Sequence, residues 1–397
     1  MSAPRTPPTM TTLVLLTGLA VLSLNMFLPS LRQIAVGLEA DYALVSLSIG
    51  GYLAVSSVLQ IIMGPLSDLW GRRPVILIGL VMFTLASIGC LFADNIWVFL
   101  AFRVAQGGIV SGMVLSRAIV RDLHEPDEAA RQLGIMGMAM ALAPLLGPMI
   151  GGLLDQMFGW RANFVAYAVM GAVMLVIAWR DLGETNTQPS ATFTAQFKTY
   201  PTLMRDRAFW AWTICLVFSI GGFYAFMGGA PLVGEGIYGL TPALVGVGMG
   251  SISSGFMLGN YLTGRYAGRI GRTRIVIIGR WFATLGPLAG ALLLGLGLNH
   301  PVVLFGGAIF VGLGNGLTLP GANAGVMSVN PKLAGSASGL SGALTVAGGA
   351  VFASVTAAIV GGALGPIVLL IAMALTSGVG LLAALYLQRL EAQMPRA

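Results

Sequence analysis

Arg103 and Gln106 stand three residues apart in an apolar run, Phe102-Arg103-Val104-Ala105-Gln106-Gly107-Gly108. On a helix that spacing puts them on one face. A cation in hydrocarbon costs roughly 2.5–3.5 kcal/mol on insertion scales. Arg103 must therefore face a bundle interior or a wet cavity and find partners there. Two roles suit it: organising a central cavity with its coupling chemistry, or serving as a hydrogen-bond hub between helices. The carboxylates are placed differently, since all 14 acids lie in loops or near the ends of apolar runs. Asp41, Asp155 and Glu235, near the outer face, are the candidates to carry a proton, although acids so placed are more often solvated end charges. His124 and His300 sit at run edges and Cys90 and Cys215 inside runs. That gives no metal-ligand spacing and no disulfide framework, so no metal and no cofactor is expected. An integral-membrane enzyme would need a nucleophile, paired acids or metal ligands near the interface, and none is visible.

The elements that hold these residues are set by composition. Of 397 residues, 56% are hydrophobic and 9% charged, with a mean hydropathy of +0.88. Soluble domains carry about 25% charged residues; this chain cannot make a charged skin, so lipid surrounds most of it. Glycine is abundant, 56 residues, and lets helix backbones approach closely in lipid. A helix of about 20 apolar residues crosses the bilayer. Such spans are expected near 10–31, 44–64, 75–93, 96–117, 132–154, 162–180, 209–230, 243–264, 274–297, 302–323, 334–360 and 364–388. The first is long enough to span and lacks a cleavage pattern, so it reads as a membrane helix rather than a signal peptide.

Orientation follows from the basic residues. With the N-terminus inside, 18 Arg and Lys fall on the inner side, Arg280 counted among them, and Arg32 and Arg161 on the outer. That asymmetry supports twelve spans with both termini cytoplasmic. It also accounts for the net charge of +7 without nucleic acid. The expected organisation is an N-terminal six-helix bundle (1–186), a cytoplasmic linker (187–207) and a C-terminal six-helix bundle (208–397).

The chain repeats itself. Gly64, Gly71 and Arg72 match Gly264, Gly271 and Arg272 at an offset of 200 residues. Duplication of a six-helix unit explains this, with pseudo-two-fold symmetry between the halves.

The segment from Gly64 through Asp68, Gly71, Arg72 and Arg73 to Pro74 resembles the loop signature of the major facilitator superfamily, and lies between the second and third spans as it does there. The resemblance implies the major facilitator fold, an all-α membrane protein of twelve transmembrane helices, and a conformational latch at Gly64, Asp68, Gly71, Arg72 and Arg73. In the second copy Gly268 replaces the acid, so that latch should be weaker. Arg103 with Gln106 resembles the family's fourth-helix signature. In the fifth span, Gly147, Pro148, Gly151 and Gly152 resemble the signature of its exporters, which implies a packed, kinked helix contact between halves and favours export over import. Trp160-Arg161-Ala162-Asn163-Phe164 fits the same branch.

Within it the similarity is to Bcr/CflA-type drug:proton antiporters, carried by Asn25-Met26-Phe27-Leu28-Pro29-Ser30, by Gly229 to Glu235, and by Leu319 to Gly325 with Ala334 to Ser338. The resemblance implies efflux of drugs or amphipathic molecules, proton antiport, a bacterial inner-membrane location and a monomer. Asn25 departs from the pattern, for the family usually has aspartate there, and asparagine carries no proton. Plausible lining residues of an apolar cavity are Asn25, Met26, Phe27, Arg103, Gln106, Tyr224, Asn315 and Asn323. With no mid-membrane acid, neutral, zwitterionic or anionic substrates are expected over strongly cationic ones. The alternatives are an exporter of a specific metabolite, such as an amino acid or sugar, and a non-transporting sensor with a transporter body.

Overall fold

The structure is a computed structural model, and it describes residues 8–123, 126–185, 200–330 and 333–393. All regular structure among the described residues is helical. The first span is α1 (Met10–Asn25), a 3-10 turn (Leu28–Ser30) and α2 (Leu31–Gly37). Then come α3 (Tyr42–Trp70) and α4 (Arg72–Leu91). The fourth span is again composite: α5 (Ile96–Ala105), a 3-10 turn (Gln106–Ile109) and α6 (Val110–Leu123). It is followed by α7 (Pro126–Phe158), α8 (Arg161–Asp181) and the short α9 (Tyr200–Met204). The remaining six are α10 (Arg207–Gly236), α11 (Pro242–Ile270), α12 (Arg272–Gly295), α13 (Pro301–Val329), α14 (Ala334–Ile359) and α15 (Gly365–Gln393).

Eleven of these spans are long and apolar enough to cross a membrane. In α7, the remaining one, the apolar part is Leu142–Phe158. The twelve-helix arrangement expected from the hydropathy is thus present. Two compact units divide the chain, Met1–Phe193 and Thr194–Ala397.

Helix ends are set locally. Asn95 accepts from the Trp97 N–H at 2.8 Å, and Asp206 from those of Ala208 and Phe209 at 2.7 and 3.1 Å. Such caps satisfy N–H groups that have no partner inside the helix. His300 does the same for Val302 through Nδ1, ahead of Pro301, which explains its place at a run edge. Sidedness shows that the solvent is lipid. On α4, Ile76, Leu80, Phe83 and Ser87 are buried, while Ile78, Val81, Met82 and Leu85 are exposed. A water-facing helix would carry polar residues on that second face.

The sequence repeat is also a backbone repeat. Gly71 (φ 95°, ψ 154°) joins α3 to α4, and Gly271 (φ 90°, ψ 147°) joins α11 to α12. Each donates its N–H to a carbonyl four residues back, Ser67 and Ala267, at 2.9 Å. That left-handed conformation is what glycine permits.

One expectation is corrected. Arg280 is not an inner-surface charge. It lies about two turns inside α12 and is fully buried. Its sequence neighbours Arg272 and Arg274 belong to the loop end, and the helix carries Arg280 away from them. The basic asymmetry that sets orientation survives its removal.

Candidate functional site

The N-terminal unit is organised around a broken helix. Pro29 cannot donate a backbone bond, and the first span passes from α1 through Met26 and Phe27 into a 3-10 turn. A continued helix would send the Phe27 N–H to the Ser23 carbonyl. Instead Phe27 donates to the Tyr167 hydroxyl at 3.1 Å, and Ser23 accepts from Arg103 Nη1 at 3.3 Å. Tyr167 in turn donates to the Leu22 carbonyl at 3.2 Å. The freed backbone groups are thus satisfied by side chains of two other spans, as hydrocarbon requires.

Arg103 also bonds Gln106, whose amide donates to Ser87 Oγ at 2.7 Å. The guanidinium lies 4.0 Å from the Phe27 ring centroid and 5.0 Å from that of Tyr52. Tyr52 and Ser23 share a hydroxyl contact at 2.7 Å. Gln106 itself opens the 3-10 break of the fourth span, beside Gly107 and Gly108. Two broken spans therefore meet at one fully buried cation. Aromatic packing fixes it in place: Phe164 lies 6.2 Å from Phe27 and 5.8 Å from Tyr167, ring to ring. Arg103, Gln106 and Phe27 are entirely buried, and Met26 and Asn25 nearly so. Asn25 Nδ2 donates to the Val21 carbonyl at 2.7 Å, and its Oδ1 has no partner among the described residues.

The fifth span packs on this break. Gly147 faces Leu22, Asn25 and Met26, and a Cβ on Gly151 would fall on the Met26 carbonyl. Pro144 and Pro148 sit inside the same helix, with Gly152, and remove two of its backbone bonds. The glycines of the exporter signature thus seat α7 against α1 within their own unit. Beyond them, Asp155 is 6% exposed and hydrogen-bonds Ser30; its Oδ2 has no partner among the described residues. Asn163 ties this corner together, donating to Ser30 Oγ at 3.0 Å and to the Gly151 carbonyl at 3.2 Å. Of the other two acids singled out, Glu235 is buried at the end of α10 and Asp41 is exposed ahead of α3.

The C-terminal unit has its own buried cation. Arg280 donates to Asn315 Oδ1 at 2.6 Å and Thr318 Oγ1 at 2.9 Å, both on α13. Among the expected lining residues, Asn315 is thus engaged by Arg280. Tyr224 is half-buried against Gly349, and Asn323 is exposed and bonded back to the Leu319 carbonyl at 2.9 Å.

At the Gly71 turn, the surroundings of Gly64 and the side chain of Asp68 lie outside what the structure describes. Arg72 pairs with Asp122 at 3.2 Å and also bonds Ser67. Arg73 reaches the Trp179 carbonyl at 2.9 Å. The Glu184 carboxylate accepts the backbone N–H of Arg72 at 2.9 Å and of Arg73 at 3.2 Å. It fills the space a Cβ on Gly71 would need, and a negative charge at a helix N-terminus is favourable. In the second unit an acid also reaches this turn, but through a side chain: Glu391 accepts from Thr273 Oγ1 at 2.7 Å, and the space beside Gly271 is open.

Sequence reading missed Glu184, Asp122, Tyr167 and Arg280. The signal available for Glu184 was an acid three residues past the sixth span, with a counterpart at the end of the twelfth.

Comparison with known proteins agrees with this architecture. Residues 13–353 match the family model described as Major Facilitator Superfamily. The chain is 33% identical over 338 residues, 82% of each chain, to "Uncharacterized MFS-type transporter YdgK" of Bacillus subtilis. It is 30% identical over 355 residues, 87% of each chain, to "Multidrug resistance protein D" of Escherichia coli. Among solved structures, a peptide transporter POT crystallised with sulfate superposes with a TM-score of 0.75 over 99% of this chain and 97% of that one, at 16% identity.

Proposed function

We propose that this chain, which belongs to the major facilitator superfamily, exports drugs or other amphipathic small molecules by alternating access, in exchange for protons. Membership makes it a multi-pass membrane transporter and not an enzyme. The observation that carries the export reading is the contact of Gly151 with the Met26 carbonyl. It seats the helix with the exporter signature on the break where Asn25, Met26 and Phe27 lie. A helix broken at a buried polar centre is the kind of element that can change shape during transport. The drug-resistance name of a relative covering 87% of the chain supports the same substrate class.

On this reading Asn25, Met26 and Phe27, buried at the break in this structure, meet the substrate when the break opens, and Tyr224 and Asn323 do so through their half-buried and exposed faces. Arg103 with Gln106, and Asn315 through Arg280, hold the helices that present them. Both buried cations lack a carboxylate partner among the described residues, which favours neutral, zwitterionic or anionic substrates over dications. Asp155 carries the proton in place of the acid missing at Asn25: it is buried, sits at the Gly151 contact, and keeps one oxygen unpartnered. Asp68, with Arg72 and Arg73, forms the latch. The protein works as a monomer in a bacterial inner membrane, with both termini cytoplasmic.

The test is efflux of a panel of labelled amphipathic compounds from cells, with and without an uncoupler, for wild type and Asn25→Asp. Uncoupler-sensitive efflux by the wild type supports proton exchange through a group other than residue 25. Efflux that becomes uncoupler-sensitive only with Asn25→Asp would place the coupling site there and refute the role of Asp155. No efflux of any compound would leave the sensor reading.

A further inference from the structure

The formal charge of the chain is lodged in one unit. Residues 1–193 hold ten Arg and Lys against eleven Asp and Glu; residues 194–397 hold eleven against three. Four of these arginines, Arg265, Arg269, Arg272 and Arg274, bracket the Gly271 turn, and all four are exposed. At the matching positions the first repeat has Pro65, Leu69, Arg72 and Pro74.

The acids differ as well. Arg72 is neutralised by Asp122. Its counterpart Arg272 finds the neutral Ser328 hydroxyl at 3.1 Å, and rests 5.2 Å from the Trp212 ring centroid. Gly268 stands where the first repeat has Asp68. Glu391, the acid that reaches this turn, is engaged by Thr273. No ion pair of Arg265, Arg269 or Arg274 exists among the described residues. Orientation in the membrane needs positive charge on one side, but it does not need the acids beside it removed.

Below the charges the surface is apolar. Leu258, Tyr261 and Arg265 follow one another on a single stripe of α11, and Leu258 and Tyr261 are 51% and 63% exposed. Tyrosine at that depth suits the membrane interface.

We propose that this rim of the C-terminal unit binds an anionic phospholipid, its phosphate among Arg265, Arg269 and Arg274 and an acyl chain along Leu258 and Tyr261. The lipid supplies the negative charge that Asp122 and Asp68 bring to the first repeat. Nothing in this depends on which molecule is transported.

Native mass spectrometry of the full-length protein, titrated with phosphatidylglycerol or phosphatidylcholine, tests it. Wild type should retain phosphatidylglycerol in preference. The triple variant R265Q/R269Q/R274Q should bind it about a hundred-fold more weakly, at roughly five-fold per charge removed. R265K/R269K/R274K should keep most of the affinity. Unchanged binding by the glutamine variant, or no preference over phosphatidylcholine, would overturn the proposal. So would complete displacement by inorganic phosphate at equal concentration, which would mark a site for a free ion. Should the glutamine variant fail to fold, the wild type decides: the preference must fall steeply with added salt, and its persistence in about 0.5 M salt would reject the site.

Discussion

Arg103 Nη1 lies 3.3 Å from the carbonyl of Ser23, on a helix eighty residues earlier, and takes the hydrogen bond that Phe27 gives up where that helix breaks. The buried charge is therefore part of the backbone accounting of the first span. Tyr167 completes the repair from the sixth span, accepting from Phe27 and donating to Leu22. Removing that one hydroxyl leaves the buried Phe27 N–H without a partner, while the Leu22 carbonyl keeps its bond from the Met26 N–H at 2.9 Å. Tyr167→Phe should destabilise the protein by about 1–3 kcal/mol, read as a lower thermal midpoint in detergent. An unchanged midpoint would mean the break is held by something else.

The Gly151 contact gives a sharper contrast. A Cβ there would meet the Met26 carbonyl, whereas one on Gly18 meets nothing within 4 Å. Gly151→Ala should cost about 1–3 kcal/mol as overpacking and lower efflux with it. Gly18→Ala on the same bundle should stay within about 0.5 kcal/mol of wild type. Equal behaviour of the two variants would count against α7 being seated on the break.

Glu184 holds the turn at Gly71, beside the proposed latch acid Asp68. Glu184→Gln removes a negative charge from the N-terminus of α4, an interaction worth about 0.3–1 kcal/mol. Both Glu184→Gln and Asp68→Asn should reduce transport while the protein still inserts, measured by efflux alongside membrane-fraction yield. Normal transport by Asp68→Asn would reject the latch.

Burial separates Asp155 and Glu235 from the exposed Asp41 among the three candidate acids. Asp155→Asn should abolish transport driven by a proton gradient and spare downhill exchange of substrate across vesicles. Asp41→Asn, at an exposed position, should leave both intact. Loss of coupling in Asp41→Asn, with Asp155→Asn unaffected, would invert the assignment.

Much of the fold was legible because hydropathy, charge sidedness and an internal repeat each carry a physical constraint. Arg103 stood out because it is isolated in an apolar run. Arg280 did not, because it follows Arg265, Arg269, Arg272 and Arg274 closely and reads as one more loop charge; only the helix start at Gly271 shows how deep it lies. The partners of these cations were also hidden. Ser23, Ser87 and Thr318 are ordinary helix residues whose roles depend on which spans touch, and no spacing along the chain encodes that. Asn25 to Ser30 was visible as a motif, yet the break within it was not, nor the rescue of the Ser23 carbonyl by Arg103 and of the Phe27 N–H by Tyr167. Glu184 looked like a loop acid until the Arg72 and Arg73 amides were seen to point at it.

Proton-driven export can be read in everted membrane vesicles that contain the protein and are made acidic inside. Such vesicles should accumulate a labelled amphipathic substrate and release it when an uncoupler collapses the gradient. Accumulation that ignores the uncoupler, or vesicles that take up no more of any tested compound than vesicles lacking the protein, would contradict it.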